Sequence, residues 1–169
     1  MTKTSNQLRL LTLSAIFAAL VFIATAYLPR IPFPGGYVHI GDAFIYLAAA
    51  LLPTPYACAV GAIGAGLADA LTGYMLYAPG TIVIKAAMAL VFSCKKDRVL
   101  SVRNLTALVP AGMICVGGYF IYEVILTASI GAAAATLYFN LIQALASALI
   151  FILLGLLFDK TELRRRIGL

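Results

Sequence analysis

The chain predicts an all-α integral membrane protein, six transmembrane helices in one compact bundle with both termini on the cytoplasmic side. Three observations carry this. Hydrophobic residues make up 63% of the 169 and charged residues only 11%, against roughly 25% charged in soluble domains. Six apolar stretches, near 10–28, 42–52, 56–72, 78–93, 106–129 and 132–158, follow one another, most of them near the roughly 20 residues a spanning helix needs. Starting inside, six crossings place Lys3, Arg9, Lys95, Lys96, Arg98, Arg103, Lys160 and Arg164 to Arg166 on the cytoplasmic face, the positive-inside pattern.

The first stretch also has the outline of a cleaved signal peptide ending at Ala24-Thr25-Ala26, but it is long for one and reads better as a span. The second is short and is expected to be tilted or extended into the preceding loop. That loop, 29–41, carries Pro29, Pro32, Pro34, Gly35 and Gly36, which exclude continuous helix; it reads as an extracellular lid. Pro53-Thr54-Pro55 and Gly73 to Pro79 supply tight turns that make neighbouring helices antiparallel, with Pro79 in the first turn of the fourth. Nothing in 1–169 leaves room for a separate soluble domain. The +6 net charge belongs to the topology and calls for no nucleic-acid partner.

Small residues punctuate two helices. Gly61, Ala62, Gly64, Ala65 and Gly66 in the third, and Ser14, Ala15, Ala18 and Ala19 in the first, allow close helix approach, either within the bundle or against a partner. Cys58, Cys94 and Cys115 lack metal-ligand spacing and read as apolar fillers. Asn104-Leu105-Thr106 fits a glycosylation pattern but falls on the cytoplasmic side.

Ionisable groups inside apolar spans are costly and point to function. Here they are Asp42, Asp69, Lys85 and Glu123. Helix direction and rise place them in the outer half of the bilayer, with His39 at the lid's end, Asn140 and Gln143 on one face of the sixth helix, and Tyr119 one turn before Glu123. Tyr37, Tyr74, Tyr77, Tyr122 and Tyr138 lie near the same level. Such a set makes an aromatic-walled, hydrogen-bonding pocket for a flat polar ring. Other readings stand beside this one: a tyrosine belt, Asp42 as a helix cap, His39 in local loop bonds, and an Asp69–Lys85 ion pair with Glu123 left over. No phosphate loop, nucleophile elbow or metal motif is present, so no enzyme and no cofactor are expected.

His39-Ile40-Gly41-Asp42, the Gly-rich third helix ending in Leu67-Ala68-Asp69, Tyr77-Ala78-Pro79 before Ile84-Lys85, Tyr119 to Glu123, and Asn140 with Gln143 together resemble the substrate-binding S components of energy-coupling factor (ECF) vitamin transporters, over nearly the whole chain. Within that group the likeness is to members assigned to riboflavin, hydroxymethylpyrimidine or vitamin B6. The resemblance implies high-affinity capture of a vitamin from outside a bacterial plasma membrane, in partnership with a transmembrane coupling subunit and two cytoplasmic ATPases, the S component toppling in the membrane during release. It also implies that Ala15 and Ala19 contact the coupling subunit. Met1-Thr2-Lys3 lacks the N-terminal histidine of metal-transporting members, and no tryptophan is available for the thiamine pattern. Two carboxylates suit a ring bearing N–H or amino donors, and a single deep lysine does not suit a phosphate. Nanomolar capture takes about 12 kcal/mol, within reach of a ligand of about ten heavy atoms if it is nearly enclosed. A small ring is therefore preferred to riboflavin, with Asp69, Lys85, Glu123, Asn140, Gln143, His39 and Asp42 as polar contacts and Tyr77 and Tyr119 as walls. The competing classes are a solitary proton-coupled carrier and a structural membrane subunit.

Overall fold

The computed structural model describes residues 3–28, 31–33, 36–95 and 97–162. Pro29, Arg30, Pro34, Gly35, Lys96 and Arg164 to Arg166, used above in the lid and charge arguments, lie outside the described residues. Six helices follow in chain order: α1 (Lys3–Ala26), α2 (Gly41–Leu51), α3 (Thr54–Leu71), α4 (Ala78–Leu90), α5 (Val102–Thr127) and α6 (Ile130–Lys160). Between α1 and α2 the lid contains a short antiparallel hairpin, β1 (Ile31–Phe33) and β2 (Gly36–Val38), with Pro32 opposite Tyr37. The sequence reading assigned it no regular structure. Proline is tolerated here because a two-stranded ribbon has only edge strands.

Helix lengths divide the bundle. Residues Thr4–Ala26, Val102–Thr127 and Ile130–Lys160 are long and apolar enough to cross a membrane. With 11 and 13 residues, α2 and α4 reach only about 16 and 20 Å at 1.5 Å per residue, short of a hydrocarbon core of about 30 Å. Ten of the 11 residues of α2 are buried, so this helix is apolar on every side because protein surrounds it. It packs against α1, α3, α4 and α6. Leu11, Val109, Met113, Leu149 and Leu153 are exposed on α1, α5 and α6, the side chains expected to face lipid tails.

The ends are fixed by local chemistry. Pro53 and Tyr77 precede helices that begin with proline in the first turn, where a missing N–H costs nothing. Ser101 and Ser129 cap α5 and α6 by accepting from the Asn104 and Ala132 amides. Gly73 has φ +93° in the α3–α4 turn, a conformation open to glycine. At the opposite end from the hairpin, Asp159 accepts from the Val99 and Leu100 amides at 2.8 and 3.0 Å, closing the α4–α5 connection over the end of α6. Asn104 is fully buried and holds Ser93 and Val99; its amide is unavailable for glycosylation.

Glycine spacing in α3 serves both neighbours. A Cβ at Gly64 would lie 2.7 Å from the Ala18 carbonyl of α1, and one at Gly61 would lie 2.9 Å from the Lys85 carbonyl of α4. Backbone cannot yield as a side chain end can, so Gly64→Ala should lower stability by roughly 1–3 kcal/mol. A detergent melting curve unshifted from the parent would refute this account of the α1–α3 contact.

Candidate functional site

Turns at the hairpin end bring the C-terminal turn of α3, the start of α4, the second half of α5 and the first half of α6 to one level, with β2 lying over them. A cleft there is lined by Gly36, Tyr37, His39, Asp69, Tyr74, Tyr77, Tyr119, Glu123, Asn140 and Gln143. Of the nine side chains expected to contact a ligand, seven line it. Lys85 and Asp42 do not: both are completely buried, behind Tyr119 and Gln143. Tyr138 is 67% exposed and outside the cleft, and Tyr122 donates to the Leu76 carbonyl at 2.8 Å, bracing the α3–α4 turn instead of lining the cleft.

Lys85 does not form the Asp69 pair that stood as the alternative reading. Its Nζ lies 2.8 and 2.9 Å from the two carboxylate oxygens of Asp42, not against Asp69. Asp42 is accordingly no helix cap; Ile40 holds the cap position of α2 and no side chain bonds there. Gln143 completes the pair's shell. Its amide donates to Asp42 Oδ2 at 3.0 Å while its carbonyl oxygen accepts from the His39 backbone at 3.3 Å. Cys115, expected as mere filler, sits 3.8 Å from both Lys85 Nζ and Asp42 Oδ2, and the ammonium lies 4.9 Å from the Tyr119 ring centroid. This arrangement leaves two carboxylates, rather than one, without a cation among the described residues.

Asp69 and Glu123 are instead satisfied by hydroxyls. Tyr37 donates to Asp69 Oδ1 at 2.9 Å and Thr81 donates to Oδ2, while Tyr119 donates to Thr81 at 2.9 Å. Thr136 donates to Glu123 Oε2 at 2.7 Å, and Tyr77 approaches Oε1 at 3.4 Å, near the limit for a hydrogen bond. Thr81 and Thr136 escaped the sequence reading. Their signal was spacing alone: Thr81 lies one turn before Lys85 and Thr136 one turn before Asn140. Asn140 is only 8% exposed, and among the described residues its amide is hydrogen-bonded to none. Its amide atoms are not among the fully buried polar atoms without a partner; they line the cleft, available to a bound polar group.

His39 points its ring into local structure. Nδ1 accepts from the Gly41 amide at 3.1 Å, which puts the proton of the neutral ring on Nε2. Burial, opposed by Asp42 and reinforced by Lys85, lowers its pKa from 6.5 to about 4. Gly41 is required beside it, since a Cβ there would fall 2.0 Å from Thr25 Oγ1. No group of three or more metal-ligating side chains occurs among the described residues.

The cleft is tight. It offers ≈ 40 Å³ to the centres of water-sized molecules, where one water needs roughly 10–15 Å³. A ring compound enters only if the hairpin or the tyrosines move. On α1, Ala15 and Ala19 are exposed and border, with Ser14, Ala18, Ile63 and Gly64, an apolar groove between α1 and α3.

Helices, cleft and buried charge define a multi-pass membrane protein built to bind a small polar molecule. The chain matches the family model described as ECF-type riboflavin transporter, S component, over residues 5–160. It belongs to this family, and is thus a substrate-binding S component of an ECF transporter. No curated protein matches it.

Two outcomes test the geometry. Lys85→Met strands the Asp42 carboxylate and should cost about 3–5 kcal/mol, whereas Lys85→Met with Asp42→Asn should recover most of it; equal melting temperatures for single and double variants would exclude the pair as assigned. Neutral His39 gains a proton on unfolding between pH 6.5 and about 4, so its contribution is full above pH 6.5 and is lost as pH falls through that window. Melting followed from pH 7.5 to 4.5 should fall less steeply in His39→Gln than in the parent.

Proposed function

We propose that this S component captures a small heteroaromatic vitamin or precursor of the vitamin B6 or hydroxymethylpyrimidine type at the outer face of a bacterial plasma membrane. Import follows through a transmembrane coupling subunit and two cytoplasmic ATPase subunits, with the α1 strip around Ala15 and Ala19 as the docking face. One observation carries the choice of ligand: Asp69 and Glu123 line an aromatic cleft in which, among the described residues, no lysine or arginine pairs with them. Acceptors without a counter-cation favour a ring that brings N–H, amino or pyridinium donors, and disfavour a phosphate. Asn140, with both a donor and an acceptor, reads the ring's edge; Tyr77 and Tyr119 supply its walls; Gln143 and His39 close the far side. A single ring needs less displacement of the hairpin and tyrosines than three fused ones.

Riboflavin is the second reading, favoured by the description of the matched family. It requires a wider displacement of the hairpin and leaves the two carboxylates to meet ring N–H and ribityl hydroxyls.

Mass spectrometry of small molecules released from the purified protein, beside calorimetric titration with pyridoxine, pyridoxamine, hydroxymethylpyrimidine and riboflavin, distinguishes the readings. A single-ring compound should bind, and Glu123→Gln should weaken it at least tenfold, the scale of a hydrogen bond to a charged group. Riboflavin alone binding would establish the second reading. No binding across the panel would favour a structural subunit, and uptake driven by a pH gradient without ATPase partners would favour a solitary carrier.

A further inference from the structure

The two carboxylates of the cleft are held differently, and the difference concerns the hairpin. A two-stranded ribbon is at best marginally stable alone, so β1–β2 depends on tethers to stay over the cleft. Its rings give one: Tyr37 lies 4.8 Å from Tyr74 and 5.5 Å from His39, centroid to centroid. The His39 backbone bond to Gln143, at 3.3 Å, is long. The strongest tether among the described residues is the Tyr37 hydroxyl on Asp69 Oδ1 at 2.9 Å, a buried bond across 32 residues of chain to a carboxylate, the stronger class of hydrogen bond.

Asp69 is prepared for that bond from the other side. Thr81 engages Oδ2 and is itself engaged by Tyr119, so a line of hydroxyls from α5 through α4 fixes the carboxylate of α3 in the orientation that presents Oδ1 to β2. Glu123 has no such commitment: among the described residues Thr136 orients one oxygen, and the other meets only Tyr77 at 3.4 Å. Resting on the reading of this cleft as the vitamin site, we propose that Asp69 is a positioning residue that latches the hairpin through Tyr37, and that Glu123 is the carboxylate that recognises the ligand. The latch sets how often the cleft opens; Glu123 sets what stays inside.

Hydrogen exchange of the ligand-free protein tests the latch whatever the ligand. Tyr37→Phe keeps the ring contacts and removes one hydroxyl. Peptides covering 31–39 should then exchange about tenfold faster or more, with peptides of α2 unchanged as evidence of an intact fold. Asp69→Ala, which removes the acceptor, should do the same, and the double variant should be no faster than the faster single, because both remove one bond. Hairpin exchange within twofold of the parent in Tyr37→Phe, or additive effects in the double, would overturn the proposal. A second arm uses whichever compound of the vitamin panel binds: Tyr37→Phe should accelerate its dissociation without altering the rank order of the panel, while Glu123→Gln should change the rank order. Unchanged dissociation in Tyr37→Phe, or a rank order altered by Tyr37→Phe instead of Glu123→Gln, would also overturn it. A panel without any binder bears on the vitamin reading and leaves the exchange result to decide the latch.

Discussion

The buried contact between Asp42 and Lys85 is the constraint on which the rest of this structure hangs. Two opposite charges with no exposed surface tolerate each other only when the desolvation of each is met by close geometry and further hydrogen bonds. Meeting that requirement determines where four helices sit. Asp42 opens α2, Lys85 is two turns into α4, Gln143 comes from α6 and Cys115 from α5, and each must approach within a few ångströms of one point. Gly61 permits this on the α3 side, because the Lys85 carbonyl passes where a Cβ would otherwise be. The pair contributes more to registry than to net stability, since apolar residues of the same volume often pack as well or better.

Its placement also decides the chemistry of the cleft. Were Lys85 extended toward Asp69, the cleft would contain a neutral pair and one spare acid. With the ammonium turned to Asp42, the positive charge is consumed behind the wall, and the cleft presents Asp69 and Glu123 to whatever enters. Gln143 carries information between the two layers, because the amide that steadies Asp42 also receives the backbone of His39 at the root of the hairpin. A disturbance of the ion pair thus has a route to the lid through this side chain.

Much of this was legible in the sequence, and the boundary is physical. Apolar runs and proline punctuation gave six helices within about four residues of their ends, since bilayer thickness and backbone satisfaction leave few alternatives, except that α1 starts well before its apolar run, at Lys3. Helix direction and a rise of 1.5 Å per residue were enough to bring His39, Asp69, Tyr77, Tyr119, Glu123, Asn140 and Gln143 to one level. Depth is a one-dimensional property and adds along the chain. Pairing is not: whether Lys85 meets Asp42 or Asp69 depends on the rotation of α4 against α2 and α3, and both acids lie within reach of a flexible four-carbon stem. Thr81 and Thr136 were invisible for a related reason, because threonine in an apolar helix commonly bonds its own preceding carbonyl and gives no sign that a carboxylate from another helix waits opposite. The hairpin was hidden by Pro32, whose presence argues against a strand until the strand is known to have a free edge.

The same logic separates the two acids, which composition treats as equivalent. A carboxylate with both oxygens engaged by fixed hydroxyls has given up conformational freedom in the folded protein, so a ligand gains little by approaching it and loses the lid contact if it displaces Tyr37. A carboxylate with one weakly held oxygen has kept its capacity for a strong, charge-assisted bond. On the proposed assignment, selectivity and access reside on different side chains, Glu123 on α5 and Asp69 on α3, which lets the strength of ligand recognition vary without altering how firmly the hairpin closes. An importer needs that separation: a cleft that held its ligand and its lid through one group would bind tightly only by becoming slow to open.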